Sequence, residues 1–153
     1  LAGSEPKLTV AIPTFNGKAH LAETLGGILA QTEAAFDLLI VDDRSDDETR
    51  ELARALAGDR ARIEVNPERL GLAGNWNRCV ALSQTPWVAI FHQDDLTRPG
   101  DLALRLEAID RAGDDVGLIA GRADVVDQDG RAVPPSVVAS GGLPDSPSAP
   151  FVD

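Results

Sequence analysis

Asp94 and Asp95 close the apolar run Trp87-Val88-Ala89-Ile90-Phe91-His92, with Gln93 between, and set two adjacent carboxylates at the end of a buried strand. Adjacent acids repel and gain little at a strand mouth unless a cation or hydrogen-bond donors hold them there. Two earlier segments are built alike. Leu38-Leu39-Ile40-Val41 runs into Asp42-Asp43, and Leu8-Thr9-Val10-Ala11-Ile12 runs into Pro13-Thr14-Phe15-Asn16. Carboxylates are hard oxygen ligands that suit Mg²⁺ or Mn²⁺ better than zinc. Mg²⁺ takes one or two protein carboxylates and fills its shell with water and substrate phosphates. Asp94-Asp95 therefore fits a metal-diphosphate better than a stand-alone metal store, and a divalent ion there acts as a Lewis acid on a departing diphosphate. Asp43 is suited to accept hydrogen bonds from a base or ribose. Backbone groups at Pro13-Thr14 can approach a base, and Phe15 offers an aromatic face.

Such residues converge only if their strands lie side by side. In an open parallel α/β sheet the carboxyl ends of the strands share one edge, where ligands bind. The chain has the alternation this requires. Strands are expected at 8–12, ended by Pro13, and at 36–41, 62–65, 87–92 and 116–120. Leu21, Leu25, Ile28 and Leu29 mark the apolar face of a helix between Lys18 and about Gln31. Ser45-Asp46-Asp47-Glu48 has the form of a capping box, which predicts a helix from Ser45 closed by Gly58. Asp46, Asp47 and Glu48 then have a structural role at a helix N-terminus, whereas Asp42 and Asp43 precede the cap and stay candidate ligands. Further helices are expected from Gly71 to about Ser83, and after Gly100 through Leu102, Leu104, Leu106 and Ile109. Ala123–Val126 and Arg131–Val133 flank Asp129-Gly130 as a hairpin. Asp124, Asp127 and Asp129 read as turn and surface acids. The expected division is a leader at 1–7, one domain at 8–133, and a Pro/Gly/Ser-rich irregular tail at 134–153.

Composition narrows the function. A chain of 153 residues with 43% apolar content can bury a core as one domain. The net charge of −11 argues against general nucleic-acid binding, which needs clustered Lys and Arg. It leaves room for a nucleotide held through a metal ion. The single cysteine, Cys79, excludes an internal disulfide and reads as a small buried hydrophobe. No apolar run approaches the ~20 residues of a membrane span, and no secretory signal is visible. A cytoplasmic location is expected, any membrane attachment being carried by parts outside this stretch. The sequence lacks methionine altogether, which suggests a processed, excised or partly represented protein; the sequence does not choose among these.

The ordered set Val10-Ala11-Ile12-Pro13-Thr14-Phe15-Asn16, Ile28-Leu29-Ala30-Gln31-Thr32, Val41-Asp42-Asp43-Arg44-Ser45 with Asp47-Glu48-Thr49, Asn66, Gly71, Asn75-Trp76-Asn77-Arg78 and His92-Gln93-Asp94-Asp95 resembles the donor-binding part of the family 2 glycosyltransferases. The likeness covers about residues 7–125. It implies the GT-A (Rossmann-like) fold, a mostly parallel sheet flanked by helices, here incomplete at the C-terminal side. It implies an inverting transfer of sugar from a nucleotide-diphosphate donor, UDP-sugar favoured, to an acceptor hydroxyl, with Mn²⁺ or Mg²⁺. By the same resemblance Pro13, Thr14 and Phe15 line the base pocket, Asp43 contacts the base, and Asp42 lies nearby. Gln93-Asp94-Asp95 stands where the family has its Asp-x-Asp motif, Asp94 facing ribose or sugar and Asp95 binding the metal. Asn75, Asn77 and Arg78 occupy a segment that borders the donor, or else cap and pack a helix. Phe15 stands where tyrosine is commoner, and Gln93 where the first acid is usual. The family's general base, a carboxylate that deprotonates the acceptor hydroxyl, usually lies well downstream of the motif. Family acceptors are polysaccharide, lipid-linked or protein-linked, and the sequence does not choose among them.

The alternative is a donor-binding module without transfer activity. A nucleotidyltransferase is disfavoured, because Pro13-Thr14-Phe15-Asn16-Gly17 is not a basic Gly-rich phosphate cradle. A dinucleotide-binding domain is disfavoured because no Gly-x-Gly-x-x-Gly follows the first strand.

Overall fold

Three near-continuous apolar runs and one alternating run form a parallel sheet in the order β3-β2-β1-β4. The strands are β1 (Leu8–Thr14), β2 (Asp37–Asp42), β3 (Ala61–Val65) and β4 (Trp87–Ile90). The computed structural model describes residues 5–32, 34–121, 123–127 and 130–133. It divides into two compact units, Leu1–Asp115 and Val116–Asp153.

Apolar residues on both faces of β1 and β2 are explained by burial on both sides. Leu8, Val10, Ile12, Leu38 and Ile40 face one core. Ala11, Leu39 and Val41 face a smaller one with Cys79. Helix α1 (Leu21–Leu29) lays Leu21, Leu25 and Ile28 into the larger core, each wholly buried. Each contributes ~1.5–3 kcal/mol relative to an exposed side chain. Helices α2 (Thr49–Ala57) and α4 (Asp101–Arg111) add Ala53, Ala57 and Leu102 to that core. Helix α3 (Gly71–Leu82) covers the other face through Cys79 and Leu82.

β1 outruns its expected end at Ile12 by two residues, with Pro13 opposite Val41 and Thr14 opposite Asp42. The missing proline N–H explains why this is harmless. Ala11 accepts from Phe91 on the β4 side, and Thr14 accepts from Asp43 on the β2 side. Alternation then aims Pro13 at the β4 side, beyond Ile90, where the ladder has no donor to lose. β4 is shorter than the expected 87–92. The N–H of His92 turns to the Asp95 carboxylate (2.8 Å), so a local side-chain turn replaces further pairing.

The expected capping box is absent. Helix α2 starts at Thr49 after Glu48, which makes no side-chain cap. Ser45 is drawn to Asp42 instead, with its N–H on Oδ1 and its hydroxyl on Oδ2. The cap-like bond comes from Asp47, whose Oδ1 accepts the Thr49 N–H at 3.0 Å. Asp47 is thus structural as expected, by a different arrangement, while the Glu48 side chain pairs with exposed Lys18 Nζ at 2.6 Å.

In the second unit Val116–Ala120, expected as a fifth strand, forms no ladder among the described residues. An apolar run becomes a strand only against a partner edge, and here Gly117 interrupts it while Leu118 stays 83% exposed. The expected hairpin is reduced to an antiparallel bridge between Val126 and Ala132. Val133 donates to the Val125 carbonyl and Gly130 to that of Asp127. Asp129 and the tail at 134–153 lie outside the described residues.

Candidate functional site

The strand order reverses at β1, because β2 and β3 lie on one side of it and β4 on the other. The crevice beyond the strand ends at such a switch point is the usual ligand site of an open α/β sheet. A cavity of about 330 Å³ opens there, lined by Pro13, Thr14, Phe15, Asp43, Arg69, Gly71, Leu72, Asn75, His92, Gln93 and Asp94.

Asp43, 2% exposed, is fixed by three donors. Oδ1 accepts from Asn66 Nδ2 (2.8 Å) and the Leu70 N–H (2.7 Å), and Oδ2 from the Gly71 N–H (2.8 Å). Burial alone would raise its pKa. The bonds from Leu70, Asn66 and Gly71, with the nearby Arg69 charge, outweigh burial and hold it below the ordinary value. Gly71 opens α3, so the helix N-terminus also favours the anion. A carboxylate has about four acceptor positions. Three are filled, and one on Oδ2 remains.

Phe15 lines the same cavity. The Arg69 guanidinium lies over its ring at 3.8 Å. The amides of residues 15–18 are all engaged. Phe15 N–H donates to Gln93 Oε1 (3.0 Å), Asn16 N–H to Ser45 Oγ (2.9 Å), Gly17 N–H to Thr49 Oγ1 (2.8 Å) and Lys18 N–H to Asp47 Oδ2 (3.2 Å). These donors are spent inside the protein, so the loop cannot cradle phosphate. Asn16, at φ 50°, accepts the Asp46 N–H on its Oδ1 (3.0 Å).

Of the expected residues, Pro13, Thr14, Phe15, Asp43, Asn75 and Asp94 meet at this cavity, and Asp42, Arg78 and Asp95 do not line it. Asp42 is 1% exposed and anchors the turn, accepting from Thr14 Oγ1 (3.2 Å) and from Ser45, with Arg50 Nε at 3.8 Å. Expected near the base, it is here a buried anchor that does not line the cavity. Asn75, 3% exposed, donates to the Val41 and Thr14 carbonyls (3.0 and 3.4 Å) and accepts from Asn66. It straps β1 and β2 to α3. Arg78 is exposed on α3. Asp95 sits half-buried behind Asp94 with one oxygen on the His92 N–H. Hard oxygens at Asp94 and Asp95 fit Mg²⁺ or Mn²⁺, which need few protein ligands.

Arg69 and Leu72 were missed by the sequence reading. Both sit around the Gly71 turn, where no periodicity marks a residue as facing inward. His92 lines the cavity and lies T-shaped to Trp76, with ring centroids 5.0 Å apart.

Fold and site together define an open-sheet α/β domain of the GT-A kind, with its ligand crevice at the switch point. Residues 9–137 match the model of the family described as glycosyl transferase family 2, and the chain belongs to that family. The succinoglycan biosynthesis protein ExoO of Rhizobium meliloti is 28% identical over 128 residues, 84% of this chain and 36% of its own length. A PGL/p-HBAD biosynthesis glycosyltransferase of Mycobacterium bovis is 33% identical over 106 residues, 67% of this chain and 41% of its own. Among solved structures, S. aureus TarS 1-349 in complex with UDP-GlcNAc superposes with a TM-score of 0.62 at 21% identity, covering 68% of this chain and 31% of that one. The mannosyltransferase PcManGT of Pyrobaculum calidifontis, in complex with GDP-Man and Mn²⁺, gives 0.58 at 28% identity, over 64% and 30%. The chain thus spans about a third of the length of several relatives it matches. No helix among the described residues is long and apolar enough to cross a membrane.

Proposed function

We propose that this chain is the donor-binding portion of an inverting, metal-assisted glycosyltransferase that uses a UDP-sugar. The observation that carries the reading is that Phe15, Asp43 and Asp94 line one cavity, with Asp95 next to Asp94 in the chain. Phe15 stacks the base. The one open acceptor position on Asp43 matches the single imide N–H of uracil, whereas guanine presents an N–H and an amino group together. Asp94 meets the ribose or sugar, and Asp95 holds Mn²⁺ or Mg²⁺. The ion, when bound, supplies counter-charge to the diphosphate. The lining supports that need. Asp43 and Asp94 are acidic, Arg69 is the one Lys or Arg lining the cavity among the described residues, and the amides of residues 15–18 are engaged.

The lining acids are poor candidates for the general base. Asp43 is held ionised by its donors, which weakens it as a proton acceptor, and Asp94 is given to the donor. We place the base outside residues 1–153. The UDP-GlcNAc and GDP-Man complexes of the structural relatives support a nucleotide-sugar donor, and the acceptor class stays open. The test is calorimetric titration with UDP, GDP and dTDP, each with and without Mn²⁺. Mn²⁺-dependent binding of UDP ahead of GDP is expected. GDP preference would overturn the base assignment, and metal-independent binding would overturn the role of Asp95. Binding without turnover of any acceptor would leave the donor-binding module as the reading of this stretch.

A further inference from the structure

Gln93 stands between two parts of the site that would otherwise be separate. Its side-chain amide meets the Phe15 backbone twice. Oε1 accepts the Phe15 N–H at 3.0 Å, and Nε2 donates to the Phe15 carbonyl at 3.1 Å. An amide side chain offers the same donor and acceptor as a peptide group. Gln93 therefore continues the β1–β4 pairing after the β4 backbone has turned away. Phe15 is the residue whose backbone needs it, because alternation along the chain aims Phe15, like Ala11, toward β4. The main chain of Gln93 is held as well, its carbonyl accepting from Thr24 Oγ1 at 2.8 Å. Gly17 makes room for the clamp, since a Cβ there would lie 2.2 Å from Gln93 Oε1. On its other side Gln93 leads directly into Asp94 and Asp95.

We propose that Gln93 is a positioning residue that couples the metal-binding acids to the aromatic base platform. This rests on the donor-site reading above. A cation that settles Asp94 and Asp95 shifts the Gln93 peptide, and the doubly bonded side chain carries that shift to the Phe15 backbone and ring. The coupling is reciprocal, as linkage requires, so a base stacked on Phe15 settles the acids in turn.

The test is an NMR titration of the isotopically labelled chain with Mg²⁺ alone, then with UDP alone, following the amides of Phe15, Asp94 and Asp95. In the parent, Mg²⁺ is expected to move all three with one apparent affinity. In Gln93→Ala, Asp94 and Asp95 should still respond while the Phe15 shift is lost. Gly17→Ala is the second variant, because it displaces the same amide sterically and leaves Gln93 in the sequence. UDP alone should reach Asp95 in the parent more strongly than in either variant. Phe15 unmoved by Mg²⁺ in the parent, or still moved in both variants, would overturn the coupling and leave the donor site intact. Asp94 and Asp95 unmoved by Mg²⁺ in the parent would remove the metal site and the coupling with it.

Discussion

Asp43→Asn separates the charge of this buried carboxylate from its shape. Three donors converge on Asp43, from Asn66, Leu70 and Gly71. An amide supplies one oxygen. Turned toward Asn66 and Leu70, it leaves its NH₂ against the Gly71 N–H. An unsatisfied buried donor costs about 1–3 kcal/mol. The two surviving bonds change from charge-assisted to neutral, a loss of roughly 1 kcal/mol each. The carboxylate at the start of α3 adds about 0.3–1 kcal/mol. The sum is about 4 kcal/mol, a large part of the ~5–15 kcal/mol that stabilises an ordinary domain. At a urea slope of about 2 kcal/mol/M the midpoint should fall by about 2 M. Unfolding in urea, followed by tryptophan fluorescence, measures it. The pH dependence gives a second check. The folded pKa of Asp43 lies below its ordinary value, so on acidification the unfolded chain takes up the proton first. The stabilisation is therefore complete above pH ~4 and is lost as pH falls through the folded value. The gap between parent and variant should narrow accordingly. A gap under about 1 kcal/mol at neutral pH, or one unchanged by acid, would refute the assignment of these three bonds as charge-assisted.

Phe15→Ala should weaken UDP binding by the ~1–3 kcal/mol of one base–aromatic stack, with or without Mn²⁺; unchanged metal-free affinity would take Phe15 out of the pocket. Asp95→Ala should make UDP affinity the same in Mn²⁺ and in chelator, while Tm moves by no more than about 2–4 °C; a retained metal dependence would assign the ion to other ligands. Cys79 is wholly buried, and burial pushes its thiol up to about 12. Iodoacetamide should therefore label the native chain at least ~10³-fold more slowly than the urea-unfolded chain, tracking the unfolded fraction.

The elements that repeat were readable because repetition carries the physics. Leu21, Leu25 and Ile28 announce α1, and the uniformly apolar β1 and β2 announce burial on both faces. Phe15, Asp43 and Asp94 were readable as neighbours at one candidate cavity because each follows a strand end, where side chains of one edge must meet. Other features depend on a partner that local spacing does not reveal. Ser45 looked like a cap for α2, yet a buried carboxylate at Asp42 competes for its hydroxyl and wins. Arg69 lies in a polar turn with no pattern around it, and only folding sets it over Phe15. Val116–Ala120 has the composition of a strand, but composition supplies no edge to pair with.

The side-chain capture of all four amides from Phe15 to Lys18 bears on how such a site can be altered. Surface loops usually absorb insertions readily. Here each N–H answers a fixed partner in one of two other segments, so one added residue would shift every later donor off its acceptor. Residues 15–18 behave as a part of fixed length, like a strand. A change of donor preference in this lineage, or at the bench, would have to come through side-chain exchange at positions such as Phe15 and Arg69, with the spacing of the loop left alone.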